Sequence, residues 1–321
     1  MKVKVISILA VLLFLMNISI VPQFHALESS NEETEFWAVL IGITNYENDG
    51  ISDLGGFAQS AQDLKDVLCN NGWREENILL LINETANCNA INSSLDWLYE
   101  NVNSEDVVLF YFAGHGSTVK DEDGDEEDSE DEVICPYDCY SKGKKLVNFI
   151  SDDELNEKFN LVESKNIKGM CLIFESCHSG ELVSESNNKK SSKPKIIDKI
   201  SKKSLFTSEL KTDIDGENRV VITSAKYGSL GIHIEKTRYD ENGKEICKYY
   251  FTFGQGISEA INNGKTTAEK IFEYSKQRYL SDPSVWMVMI FQSLLSIFSG
   301  YLTLPIPTIY DYYEGELQII N

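Results

Sequence analysis

The chain has 321 residues, of which 42% are apolar and 25% charged, so it can bury one sizeable core. Its formal net charge of −22 repels nucleic acid and anionic membrane, which excludes both as bulk partners and favours cationic partners or bound metal. Much of that charge is local, since ten of the twelve residues from Asp121 to Glu132 are acidic.

Residues 1–26 open with Lys2 and Lys4, continue through the apolar run Val5 to Met16 and reach small or polar residues before Leu27. A charged start followed by a short apolar core has the form of a secretory signal, so a secreted or extracytoplasmic protein is expected. The alternative is an uncleaved anchor, because Phe24-His25-Ala26 is a poor small-x-small cleavage site. Residues 27–321 are then one domain. The seven cysteines fit export only loosely: with Cys177 kept reduced, six remain, and Cys171 lies inside an apolar strand. Cys135 and Cys139 could close a small loop around Pro136-Tyr137-Asp138, and Cys69 and Cys88 bracket a predicted strand.

From Phe36 onward strand and helix alternate, with apolar runs too continuous for half-exposed strands. The expected order is a strand over Phe36–Ile43, a helix over Phe57–Asn70, a strand over Ile78–Ile82 and a helix over Ile91–Val102. A strand over Val107–Phe112 and, after the acidic run, a helix over Asp152–Phe159 follow, the helix opened by the capping box of Ser151 and Glu154. The strand Gly169–Phe174 closes a large segment, residues 36–180. Residues 181–217 are polar and rich in lysine between Lys189 and Lys203, the composition of an exposed linker. In the small segment, 218–321, a strand is expected over Arg219–Ser224, helices over Gly254–Asn262 and Thr266–Tyr279, and a closing strand over Leu317–Ile320. The nearly uncharged stretch 285–302 reads as an apolar hairpin or helix for a membrane surface or protein partner, with core packing as the alternative. The pattern implies an α/β fold with a mostly parallel central sheet flanked by helices, whose ligands bind beyond the carboxyl ends of the strands.

Two apolar strands run into motifs that carry chemistry: Phe110-Tyr111-Phe112-Ala113-Gly114-His115-Gly116 and Phe174-Glu175-Ser176-Cys177-His178-Ser179-Gly180. Both read as tight turns at strand ends, from which a side chain projects. A thiol attacks a carbonyl as thiolate, and an imidazole is the usual group to take its proton. The chain has four histidines: His25 lies in the leader, His233 outside both motifs, and His178 beside Cys177, where neighbouring side chains diverge. His115, 62 residues upstream, is therefore the candidate base and Cys177 the candidate nucleophile.

A strand ending in Gly-His-Gly followed by one ending in Ser-Cys-His-Ser-Gly resembles the caspase-like cysteine peptidases, and within them the metacaspase branch. The resemblance runs in motif order over most of Phe36–Asn321. It implies a caspase-hemoglobinase type sheet, a Cys177–His115 dyad, peptide hydrolysis through a thioester, and the backbone amides of Gly116 and Cys177 as oxyanion donors. No organic cofactor is implied. Glu175 falls where metacaspases usually carry an Asp of the pocket that accepts Arg or Lys, implying peptide or protein substrates with basic residues. The second pocket Asp of the family would fall at Ser60, a departure from the pattern. A Glu before the Cys is also similar to legumain-like peptidases, which cut after Asn. Asp152 and Asp153 match an acidic pair that binds activating Ca²⁺ in the family, though both also serve as first-turn acids of a helix. Asp121, Asp123 and Asp125 offer further Ca²⁺ oxygens in a run that departs from the EF-hand at Glu126. The non-enzyme alternative is a calcium-binding interaction module on the same fold.

Overall fold

The computed structural model describes residues 33–120, 130–143, 145–178, 216, 218–224, 234–239, 244–287, 289–290 and 306–320. The leader, the acidic run 121–129, nearly all of the Lys-rich linker and residues 291–302 of the apolar stretch lie outside them.

Strand β1 (Phe36–Gly42) is buried at all seven positions, as its unbroken apolar sequence demands of a strand covered on both faces. It is followed by α1 (Phe57–Asn70), β2 (Ile78–Ile82), α2 (Cys88–Asn101) and β3 (Val107–Lys120). Then come β4 (Glu130–Ile134), the small pair β5 (Tyr140–Lys142) and β6 (Lys145–Val147), β7 (Ile150–Ser151), α3 (Asp152–Glu163) and β8 (Gly169–His178). The small segment supplies β9 (Arg219–Thr223), the hairpin β10 (Ile234–Tyr239) and β11 (Glu245–Phe251), α4 (Phe253–Asn262), α5 (Ala268–Leu280) and β12 (Thr308–Asp311).

The main sheet runs β12-β9-β8-β3-β1-β2. Its pairs from β9 to β2 are parallel, whereas β12 joins β9 antiparallel and β4 joins the far end of β3 antiparallel. Side chains alternate across this sheet as strand geometry requires. On β3, Leu109, Tyr111 and Ala113 face α1, α4 and α5, while Val108, Phe110 and Phe112 face α2 and α3. The chain leaves β1 toward β2 and returns on the other side of β1 with β3, so the reversal of strand order lies beside β3, where α/β sheets place their ligands. At the end of β1, a methyl on Gly42 would meet Phe57 O at 2.4 Å and Ala61 Cβ at 2.8 Å; only glycine lets α1 approach this closely.

Local chemistry sets the helix starts. Asn87 Oδ1 accepts from Ala90 N at 3.0 Å, so α2 begins three residues before the expected Ile91. The capping box at α3 is formed as expected, with Ser151 Oγ accepting from Glu154 N and Glu154 accepting from Ser151 N. The linker gives way to β9 at Arg219, a fully buried guanidinium. It donates to both Glu163 oxygens at 2.9 Å, to Asn156 Oδ1 at 2.8 Å and to Asn160 Oδ1 at 2.7 Å. All three partners sit on α3, which ties β9 to the segment that precedes the linker in sequence.

Several expectations are corrected. Leu317–Ile320 is not a strand: β12 takes the sheet edge, and the terminal residues instead bond to the start of α5, with Ala268 N donating to Leu317 O and Ile319 N to Thr266 O. Trp73 Nε1 holds Ile319 O at 2.9 Å, and burial of Leu317, Ile319 and Ile320 drives that docking. Cys69 and Cys88 pack on opposite faces of the sheet, so no bridge joins them, and Cys135 and Cys139 are buried free thiols. In the apolar stretch, Val285 and Met289 pack into the core while Trp286, Met287 and Ile290 are exposed. Among the described residues no helix is long and apolar enough to cross a membrane.

Candidate active site at the ends of β3 and β8

Among the described residues, through Gly116 in one motif and His178 in the other, the chain stays extended. β3 continues through Gly114-His115-Gly116 to Lys120 because β4 supplies an antiparallel partner from Gly116 onward, and Cys135 N donates to His115 O at 2.9 Å. β8 runs through Cys177 to His178 alongside it. The parallel register therefore sets Ala113 beside Glu175, His115 beside Cys177 and Gly116 beside His178. Register partners in a parallel pair share a face, and neighbouring strands lie about 4.8 Å apart. The two candidate catalytic residues are thus adjacent along the backbone ladder of β3 and β8.

His115 is buried and its ring is oriented by the chain. Nε2 lies 2.8 Å from the backbone carbonyl of Ser52. A carbonyl only accepts, so Nε2 carries the proton and Nδ1 is the basic nitrogen. The ring also packs against Tyr46, centroids 5.0 Å apart, and the His115 amide donates to Tyr46 Oη at 2.7 Å. The loop holding Tyr46 and Ser52 is itself anchored, with Ile43 N donating to Ala113 O, Tyr46 N to Asp53 Oδ1 and Glu47 N to Tyr137 O. Because the His115 N–H and C=O engage Tyr46 and Cys135 on one side, strand alternation turns the Gly116 amide toward β8, the strand of Cys177. Ser52 and Tyr46 escaped the sequence reading. A backbone carbonyl leaves no residue signature, and Tyr46 lies in a loop without periodicity.

Glu175 does not line an open pocket. It is 3% exposed, and its oxygens accept from Phe253 N at 2.6 Å, Gly254 N at 2.9 Å and Tyr111 Oη at 2.7 Å. The expected receptor for a basic side chain is instead saturated by the first turn of α4. Burial raises its carboxyl from 4.5 to about 7, against the Tyr111 hydroxyl and the two amides, which pull it down. Burial, then the Glu175 charge, holds the Tyr111 phenol well above its usual range. Ser60, where the second pocket acid would fall, bonds Thr252 Oγ1 at 2.8 Å.

Of the metal candidates, Asp121, Asp123 and Asp125 lie outside the described residues. Asp152 is buried and Asp153 exposed, so the adjacent pair diverges at the start of α3. Glu132, fully buried, and Asp152 flank the last pair of the β4–β7 ladder, Val133 with Ser151. Among the described residues no three His, Cys, Asp or Glu side chains gather as a metal-binding group.

Residues 37–185 match the family model described as "Metacaspase, peptidase C14 domain". Metacaspase-1 of Ajellomyces capsulatus is 33% identical over 168 residues, covering 50% of this chain and 44% of that protein. Metacaspase-1 of Schizosaccharomyces pombe is 32% identical over 153 residues, covering 44% and 33%. The chain thus spans less than half the length of the curated relatives it matches. Among solved structures, protein GSU0716 from Geobacter sulfurreducens aligns with a TM-score of 0.51 at 14% identity, over 86% of this chain and 92% of that one, a likeness of fold. Residues 37–185, with His115 and Cys177 paired inside them, are thus similar to the metacaspase branch of the caspase-like cysteine peptidases.

Proposed function

We propose that this chain is a cysteine endopeptidase with Cys177 as nucleophile and His115 as base. The observation that carries this is the register pairing of the two residues with the His115 ring held through Nε2 by Ser52 O. In the proposed cycle the Cys177 thiol passes its proton to Nδ1 of His115, and the thiolate attacks the scissile carbonyl. The Gly116 and Cys177 amides stabilise the oxyanion, and His115 returns the proton to the leaving amine. Water, activated by His115, then hydrolyses the thioester. Ser52 acts as the orienting third group, supplying a fixed acceptor to the far side of the ring as it becomes positively charged.

Calcium dependence is part of the proposal. The start of α3 is rich in carboxylates, which suit a hard ion, and Glu132 and Asp152 are buried. Those two residues, with acids of the 121–129 run, would hold the ion, which would supply positive charge to a strongly acidic chain. The leader supports export to the cell exterior. A preference for Lys or Arg finds no support at Glu175, whose oxygens the chain itself occupies.

The test is the full chain beside Cys177→Ala on fluorogenic peptides ending in Arg, Lys, Asn or Asp, with and without Ca²⁺. Cleavage of any peptide that disappears in Cys177→Ala supports the reading. Cleavage that survives the substitution, or none under any condition, refutes it.

A further inference from the structure

The two positions that the resemblance assigns to recognising a basic side chain both grip one three-residue stretch of this chain. Ser60, on α1, bonds Thr252 Oγ1 at 2.8 Å; Glu175, on β8, accepts the amides of Phe253 and Gly254. Thr252 is the N-cap of α4 and accepts from Gln255 N at 3.2 Å. The first three amides of α4 are therefore all satisfied, two of them by a carboxylate from another element. Tyr111 joins the halves of this arrangement, donating to Glu175 at 2.7 Å and contacting Ser60. Every member is buried. A methyl on Gly254 would stand 2.3 Å from Tyr111 Oη and 2.6 Å from Glu175 Oε2, so only glycine admits the carboxylate to the helix end. Glu175 stands two residues before Cys177 on β8, and Tyr111 lies two residues before Ala113, the partner of Glu175.

We propose that Ser60 and Glu175 are positioning residues that clasp the start of α4 against the nucleophile strand, and that the substrate side chain before the scissile bond is not selected by charge pairing with Glu175. The inference rests on the peptidase reading above. A carboxylate held in a buried site by two helix amides and a phenol is not turned toward an incoming Lys or Arg. Turning it out of this site toward a substrate would leave three buried donors unsatisfied. The reach of the side chain matters here as much as its charge, since its two oxygens serve successive amides.

The experiment uses the full chain with Glu175→Gln, Glu175→Asp, Ser60→Ala and the double variant Ser60→Ala/Glu175→Gln. Each is assayed on matched peptides with Arg, Asn or Leu before the scissile bond, and each is melted at pH 8, where the carboxylate is ionised. The amide in Glu175→Gln opposes an N–H with an NH₂, and Glu175→Asp keeps the charge but shortens the reach. Both are expected to lower kcat/KM by about 10-fold or more on all three peptides, with the Arg-to-Leu ratio held within about 2-fold. Both are also expected to lower Tm by roughly 4 °C or more. The double variant is expected to melt non-additively, because Tyr111 links the two sites.

An Arg-to-Leu ratio that collapses about 10-fold in Glu175→Gln but is kept in Glu175→Asp, with both melting like the parent, would show Glu175 reading substrate charge and overturn the clasp. If the parent cleaves none of the peptides, the peptidase reading fails by itself. The clasp is then judged on melting alone, where unchanged Tm values overturn it and lowered, non-additive ones uphold it.

Discussion

The Glu175 carboxyl gives the protein a calculable pH dependence of stability. Burial raises it from 4.5 to about 7 in the folded chain, despite three donors. Between those values the folded state binds a proton that the unfolded state has released, so stability falls as pH rises and levels off above pH 7. The stability tied to this group is fully present below the unfolded value and lost as pH climbs through the folded one. A displacement of this size corresponds to about 3 kcal/mol, most of it between pH 5 and pH 8. Nothing in the fold lets solvent relieve it, since Glu175, Tyr111 and Phe253 are all buried. Equilibrium urea unfolding at pH 5, 6, 7 and 8, for the parent and for Glu175→Gln, isolates the contribution because every other titrating group is shared. The stability advantage of the parent over Glu175→Gln should shrink by roughly 2 to 3 kcal/mol across that range. Parallel pH profiles for the two proteins would refute the reasoning and show that the donors, together with the positive end of α4, keep this carboxyl near its ordinary value.

Arg219→Met keeps approximate volume but leaves Glu163, Asn156 and Asn160 without their shared donor; a loss of about 3 to 5 kcal/mol is expected in urea unfolding, partly recovered when Glu163→Met is added. Tyr46→Phe removes the hydroxyl that accepts the buried His115 amide, so kcat should fall more than KM changes, with a stability loss of about 1 to 3 kcal/mol. If Glu132 and Asp152 contribute to a calcium site, millimolar Ca²⁺ should raise Tm by a few degrees, as linkage requires at roughly 10 to 100 times Kd, and Asp152→Asn should abolish that rise. An Asp152→Asn protein that is still stabilised in full by Ca²⁺ would remove Asp152 from the site.

Most of the framework was written locally in the chain. The apolar runs at Phe36, Val107, Gly169 and Arg219 could be satisfied only by strands covered on both faces, and the helices between them follow from periodicity. The capping box at Ser151 and the helix over Phe57–Asn70 needed no tertiary information. Cys177 and His115 stand out as candidates because thiol, imidazole and small residues recur at the ends of two such runs, and the register sets them side by side. Where a signal depended on a partner distant in sequence, it was absent or misleading. β3 continues through Gly116 and β8 to His178 because β4 and β3 continue the ladders, which residue pattern cannot reveal. Leu317–Ile320 looks like a strand by composition but is held by Trp73 and Thr266. Ser52 contributes a carbonyl, which every residue possesses. Glu175 shows the difference most sharply. Its place before the nucleophile is fixed by sequence, but whether its carboxylate meets substrate or the protein depends on where a helix 78 residues later docks, and packing alone decides that.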